Sequence, residues 1–160
     1  VALQDYPALP KAVQAPGIPI IISGGGPKRT PNLAARFADE FNLPFRPPDS
    51  FREQVGRVSQ VCESIGRDPE SIIFSVAQVV CVSDSEKEFT KRAERIGRSP
   101  TELRESGVAG MPDEAVSRIL AFQEAGATRI YLQVLDEDDL DHVTFIAESI
   151  APLLQGGSDA

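Results

Sequence analysis

A chain of 160 residues, 41% hydrophobic and 25% charged, is long enough for one domain with a real core and needs no crosslinks to hold it. A net charge of −8 without any basic stripe argues against a nucleic-acid surface, and no apolar run reaches membrane-spanning length. Cys62 and Cys81, the only cysteines, both fall in apolar patterns, and no secretory signal opens the chain; buried, reduced thiols and a cytoplasmic location are expected, with a disulfide as the alternative.

Residues 1–17 carry Pro7, Pro10 and Pro16 with little periodicity, which predicts an extended connector ahead of a domain over 18–154 and suggests a piece of a longer polypeptide. Ile20, Ile21 and Ile22 then form a short β-branched run, expected to be a strand covered on both faces. Ser23, Gly24, Gly25 and Gly26 follow, and the glycines lack the Cβ atoms that hold a ligand away from the backbone. Thr30 suits an N-cap and Pro31 the first helical position, with Leu33, Ala34, Phe37, Ala38 and Phe41 on one face. Free N–H groups, the positive helix end, Lys28 and Arg29 would converge on one point, which suits a phosphate. The spacing matches neither the Walker nor the dinucleotide fingerprint, so a plain turn with two solvated cations stands as the alternative.

Phe41 to Phe45 reads as a short strand or extended turn, with Asn42 at its exit. Asp49 or Ser50 is expected to cap a helix whose stripe is Phe51, Val55, Val58, Val61, Cys62 and Ile65, ended by Gly66. Ile72 to Val82, interrupted by Ser75 and Gln78, predicts a long, mostly covered strand. Ser85 with Glu88 forms a capping box for a helix through Ile96, and Ser99 to Glu102 starts a shorter one ending near Gly107. Pro112 opens another helix, stopped at Gly126. Thr128 to Leu135 is the last predicted strand and Leu140 to Leu154 the last helix, before a frayed tail over 155–160. Four strands separated by helices imply a parallel α/β arrangement with right-handed crossovers. Periodicity leaves both a small open sheet and half of an eight-stranded barrel open.

Ile18 to Thr30, followed by Leu33 to Asn42, resembles the fifth-strand signature of luciferase-like flavin and deazaflavin oxidoreductases. The resemblance continues through Gly66-Arg-Asp-Pro69, Ala109-Gly-Met-Pro-Asp-Glu114, Ala125 to Gln133 and Asp138 to His142, in order and at family spacing. It implies a TIM (β/α)8 barrel, of which this chain matches strands five to eight. It further implies that the loop after the first strand contacts the phosphate end of FMN or the side chain of coenzyme F-420. Carried over by position, that loop is Ser23, Gly24, Gly25, Gly26, Lys28, Arg29 and Thr30. Where the family usually has Gly-Thr-Pro, this chain has Gly110-Met-Pro112, so a hydroxyl N-cap worth about 1 kcal/mol is missing there. The implied function is redox catalysis of the monooxygenase or oxidoreductase type on a small organic substrate, with this chain gripping the coenzyme. A non-catalytic half-barrel binding or assembly module is the alternative. Two uncovered sheet edges and an uncovered inner face would lead to homo-oligomers or to pairing with the missing N-terminal half-barrel.

No residue is assigned as catalytic, since no Ser-His-Asp, Cys-His or zinc spacing is present. Asn42 and Gln133 fall at strand ends and are candidates for ring or substrate contact, or equally for loop backbone satisfaction. His142, the only histidine, fits an exposed or helix-packing role better than general-base work. Asp136 to Asp139 with Asp141 reads as a solvated helix start rather than a metal site, and Asp39-Glu40 as structural.

Overall fold

The computed structural model describes residues 9–15 and 17–155, so most of the expected connector and the tail beyond residue 155 lie outside the described residues. The chain runs β1 (Ile21–Ser23), α1 (Arg29–Phe37), β2 (Glu40–Asn42), α2 (Pro48–Ser64), a 3-10 turn (Pro69–Ser71) and β3 (Ile73–Val82). It continues through α3 (Glu86–Arg95), α4 (Pro100–Ser106), β4 (Val108–Gly110), α5 (Pro112–Glu124), β5 (Arg129–Gln133), α6 (Leu140–Ser149) and α7 (Ala151–Gln155). Every strand pair is parallel, as alternation with helices requires: β1 beside β2, β2 beside β3, and β5 on the other edge of β3.

The long β3 is the spine of the sheet. Phe45 N donates to Ala77 O, and there the chain leaves the edge through a left-handed residue, Phe45 at φ 55°. β4 takes up the edge further along, pairing Val80–Val82 with Val108–Gly110. This strand is not in the predicted set: Val108-Ala-Gly is too short to carry a pattern, and it forms because the outer half of β3 offers unpaired backbone groups.

Strand alternation sorts the side chains onto two faces. On the outer face Ile22, Phe41, Phe74 and Val76 pack against Ala34 and Ala35 of α1, Phe51 and Val58 of α2, and Phe122 of α5. Val80, Val82 and Val108 pack likewise on Ala115 and Ile119 of α5 and on Ile150. Burying each large side chain of this kind contributes about 1.5–3 kcal/mol, so the outer face supplies most of the stability. Cys62 is a buried free thiol in the first of these layers, whereas Cys81 is a buried free thiol in a third cluster with Phe89 and Ala93 of α3 and Leu103 of α4, where burial pushes it up to about 11. The inner face carries Ile21, Ser23, Glu40, Asn42, Ser75, Arg129, Tyr131 and Gln133; α3 and α4 cover only its far end, where Val79 and Cys81 pack with Phe89, Ala93 and Leu103.

Ile20 and Ile21 are therefore half exposed (49% and 55%), and only Ile22 joins the core; the expectation of a strand covered on both faces is corrected by this one-sided layering. Two helix starts and the continuity of the last helix also differ from expectation. α1 begins at Arg29 with Lys28 as its N-cap, not at Pro31 under a Thr30 cap. α2 begins at Pro48 after Pro47, whose fixed φ preorganises the first turn, so neither Asp49 nor Ser50 is the cap. The last helix is two helices, because Pro152 cannot donate to the α6 ladder.

Candidate functional site at the glycine turn

The parallel strands β1, β2, β3 and β5 all point the same way, so the loops at their carboxyl ends gather at one end of the sheet. Ser23 ends β1 in register with Asn42, which ends β2. Gly24 takes φ +137°, a conformation only glycine adopts easily, and turns the chain back toward α1. The Thr30 hydroxyl lies so close under the turn that a Cβ on Gly24 or Gly26 would meet it at 3.3 or 3.0 Å. A Cβ on Gly25 would meet only Leu43 Cδ1, at 3.8 Å. The turn thus has a packed side, on Thr30, and an open side, at Gly25. Lys28 and Arg29 stand exposed at the start of α1, with no side chain capping that helix.

The predicted residues Ser23 to Gly26, Lys28, Arg29 and Thr30 are thereby brought together, with Asn42 next to Ser23. Asn42 Nδ2 donates to Ser75 Oγ at 2.9 Å, which ties it to the inner face. Gln133 does not join them. It ends β5, on the far edge of β3, and lines a separate cavity of about 450 Å³ with Phe45, Gln78, Leu103 and Leu135.

Three residues that shape the turn were missed in the sequence. Gln54, 2% exposed on α2, donates from Nε2 to Gly26 O (2.9 Å) and Gly24 O (3.5 Å). Its Oε1 accepts from Arg57 Nη1 at 3.0 Å, and Arg57 is held in turn by Glu53. With two glycine carbonyls drawn toward Gln54, the backbone is fixed in one shape. Arg57 and Arg46 line a cleft of about 160 Å³ on the open side at Gly25. A signal for Gln54 was available: a polar residue three after Phe51 and four before Val58, on the buried stripe of α2.

Below the turn, the inner face holds a polar cluster. Glu40, 3% exposed, accepts from Ser75 Oγ (2.5 Å) and Tyr131 OH (2.9 Å) at Oε1 and pairs through Oε2 with Arg129. Asp39 Oδ2 accepts from Ile20 N at 2.7 Å. Both acids of that pair are structural, as expected.

His142 is 4% exposed and accepts the Val82 N–H at Nε2 (3.0 Å), a packing role with no access to the turn. The acidic run is not simply solvated. Asp139 caps α6 through His142 N (2.9 Å) and pairs with Arg92 (3.1 Å), while Asp136 pairs with Arg95 (2.8 Å). Burial opposes the charged form of Asp139, yet the His142 N–H and Arg92 hold its carboxyl below the usual range. Met111 caps α5 with no side-chain hydrogen bond, and Glu114 compensates by accepting Met111 N at 2.7 Å.

A family model described as luciferase-like monooxygenase matches residues 1–107. No curated protein matches the chain in sequence. Among solved structures the chain is similar to the EDTA monooxygenase from Chelativorans sp. BNC1, at 17% identity over 88% of this chain and 44% of that one, TM-score 0.70. It is similar to the coenzyme F-420 dependent tetrahydromethanopterin reductase from Methanopyrus kandleri, at 16% identity over 85% and 51%, TM-score 0.66. A third is the FMN-bound oxygenating constituent of 3,6-diketocamphane monooxygenase from Pseudomonas putida, at 18% identity over 85% and 49%, TM-score 0.62. These likenesses show the α/β fold of TIM-barrel enzymes of this kind, and the chain spans about half the length of the solved structures it matches. With the family model covering two thirds of its residues, the chain belongs to the luciferase-like monooxygenase family.

Proposed function

We propose that this chain is the coenzyme-gripping half of a flavin- or deazaflavin-dependent oxidoreductase, a (β/α)4 half-barrel corresponding to strands five to eight of a TIM barrel. The observation that carries the reading is the glycine turn at the carboxyl end of β1, open at Gly25, held by Gln54 and followed by Lys28 and Arg29. An anionic group fits there: backbone N–H groups and the start of α1 favour negative charge, and two cations flank it. The coenzyme F-420 and FMN named for two of the similar structures both carry such an end. Bound there, the coenzyme supplies hydride transfer or oxygen activation. The chain's own residues hold and orient it: the turn binds the anionic end, and Ser23 and Asn42, side by side at the ends of β1 and β2, lie next to it on the inner face.

The test is titration of the chain with FMN and with coenzyme F-420, followed by fluorescence. Saturable binding of one of them is expected, weakened about tenfold when Lys28 and Arg29 are both changed to Ala, the loss of a charge-assisted contact. Unchanged affinity in that variant, or no binding of either coenzyme, overturns the reading.

A second reading, a binding or assembly module without turnover, draws on the inner face, which no helix covers at the Glu40, Arg129 and Tyr131 cluster. Coenzyme binding with no substrate-dependent reduction supports it. Under either reading the inner face is completed by a second copy of this chain or by an N-terminal half-barrel.

A further inference from the structure

The cations selected in the sequence, Lys28 and Arg29, lie on the α1 side of the glycine turn. The enclosed space lies on the other side, where α2 approaches. There Gly25, Leu43, Arg46, Ser50, Gln54 and Arg57 surround a cleft of about 160 Å³. We infer that this cleft is a second subsite for an oxyanion, a phosphate or carboxylate group, received between Arg46, Arg57 and the first turn of α2. The inference rests on the reading of the turn as an anion grip and names a partner site for it.

Several features combine. Arg57 is not a loose surface cation: Gln54 Oε1 and Glu53 hold its guanidinium in place, and Gln54 is itself pinned to the turn. Arg46 is exposed and enters no ion pair among the described residues, so its charge is available. α2 is 17 residues long, and no side chain caps its first turn, whose leading N–H groups have no partner within the helix. Asp49, the acid in that turn, is engaged with Arg52 at 3.0 Å. Arg46 and Arg57 against Glu53 leave one net positive charge at the cleft, and Gly25 presents backbone without a Cβ to narrow the entrance. A planar guanidinium fixed in one orientation is suited to paired contacts with two oxygens of one anion.

The source of the oxyanion is either a second charged group of the coenzyme or a separate small anion, and the experiment separates them. Inorganic phosphate is added to the 15N-labelled chain and backbone amide shifts are followed. Saturable shifts at Gly25 and Ser50 are expected, weakened about tenfold by Arg46→Gln and by Arg57→Gln, and unchanged by Arg36→Gln, an exposed cation on α1. Arg46 makes no side-chain hydrogen bond among the described residues, so its variant keeps the fold. If FMN then displaces phosphate from Gly25 and Ser50, the anion belongs to the coenzyme; if phosphate stays, it is a separate ligand, and both results uphold the cleft. Saturable shifts confined to residues 28–30 overturn the cleft while leaving the turn's function standing. No response to either phosphate or FMN overturns both.

Discussion

His142 sits in a cluster that couples three elements. Its Nε2 accepts the N–H of Val82 at the end of β3, and its own backbone N–H completes the Asp139 cap of α6. Arg92 of α3 closes the cluster, donating to Val82 O at 2.8 Å and pairing with Asp139. A ring nitrogen that accepts must be unprotonated, so the fold needs the neutral imidazole. Burial, and then the nearby Arg92 charge, lower the His142 pKa from its ordinary 6.5, against the opposing pull of Asp139 and Asp136. Cys81 on β3 stays a neutral thiol beside them. The unfolded chain therefore takes up a proton at a higher pH than the folded one, and stability rises with pH through that window. The contribution is fully present above about pH 6.5 and is lost as pH falls toward the folded value, at a slope of at most about 1.4 kcal/mol per pH unit. Urea unfolding midpoints between pH 7.5 and 5 will fall for the native chain. In His142→Gln the slope between pH 6.5 and the folded pKa will flatten, although the variant starts less stable. Equal slopes in both proteins contradict this account.

Two glycines separate the cost of a backbone clash from the cost of chain freedom. At Gly107, between α4 and β4, an added Cβ would meet Val79 O at 2.8 Å and Leu103 O at 3.1 Å, and neither carbonyl can swing away like a side-chain tip. Gly107→Ala is expected to lose roughly 1–3 kcal/mol. Gly56, exposed within α2, has nothing within 4 Å of an added Cβ, and Gly56→Ala is expected to gain about 0.5–1 kcal/mol by helix propensity. Denaturant melts of the two variants must move in opposite directions. Elements like α2, α3 and α5 were legible because their apolar stripes and stops are local, as with Ser85 capping α3. β4 was not legible, since its strand character comes from a partner 28 residues away that β2 has left unpaired. The site divides in the same way. Residues Ser23 to Thr30 are adjacent in sequence and could be read as one turn, whereas Gln54 and Arg57 reach that turn only through the packing of α2 on α1, and Arg46 only through the loop from β2 to α2. Glu40 looked like half of a charged doublet; its partners Ser75, Arg129 and Tyr131 come from strands far along the chain.

At the scale of the whole molecule, one face of the sheet is roofed by helices and the other is bare except at the far end of β3, where α3 and α4 cover it. Ile21 is 55% exposed and Tyr131 41% exposed on that inner face, and Ile20 is half exposed beside it. β1 and β5 are edge strands, each paired on one side only. Such edges and apolar positions favour association, and a barrel removes both by closing the sheet on itself. A polar cluster at the same face does not oppose this. Glu40 already has its partners within the chain, so covering it leaves no carboxylate unpaired, while Arg129 keeps donors to spare for a facing chain. The chain by itself, 17.3 kDa, is expected to sediment as a dimer or larger at tens of micromolar. Ile21→Lys places a charge on the bare face without touching the helix-packed core and is expected to shift the population to monomer, with far-ultraviolet circular dichroism unchanged. Tyr131→Ala, which also removes a Glu40 donor, should weaken association and stability together. A compact monomer for the native chain at those concentrations would mean that the inner face is stable in water as it stands, and the half-barrel account would lose its physical reason for a partner.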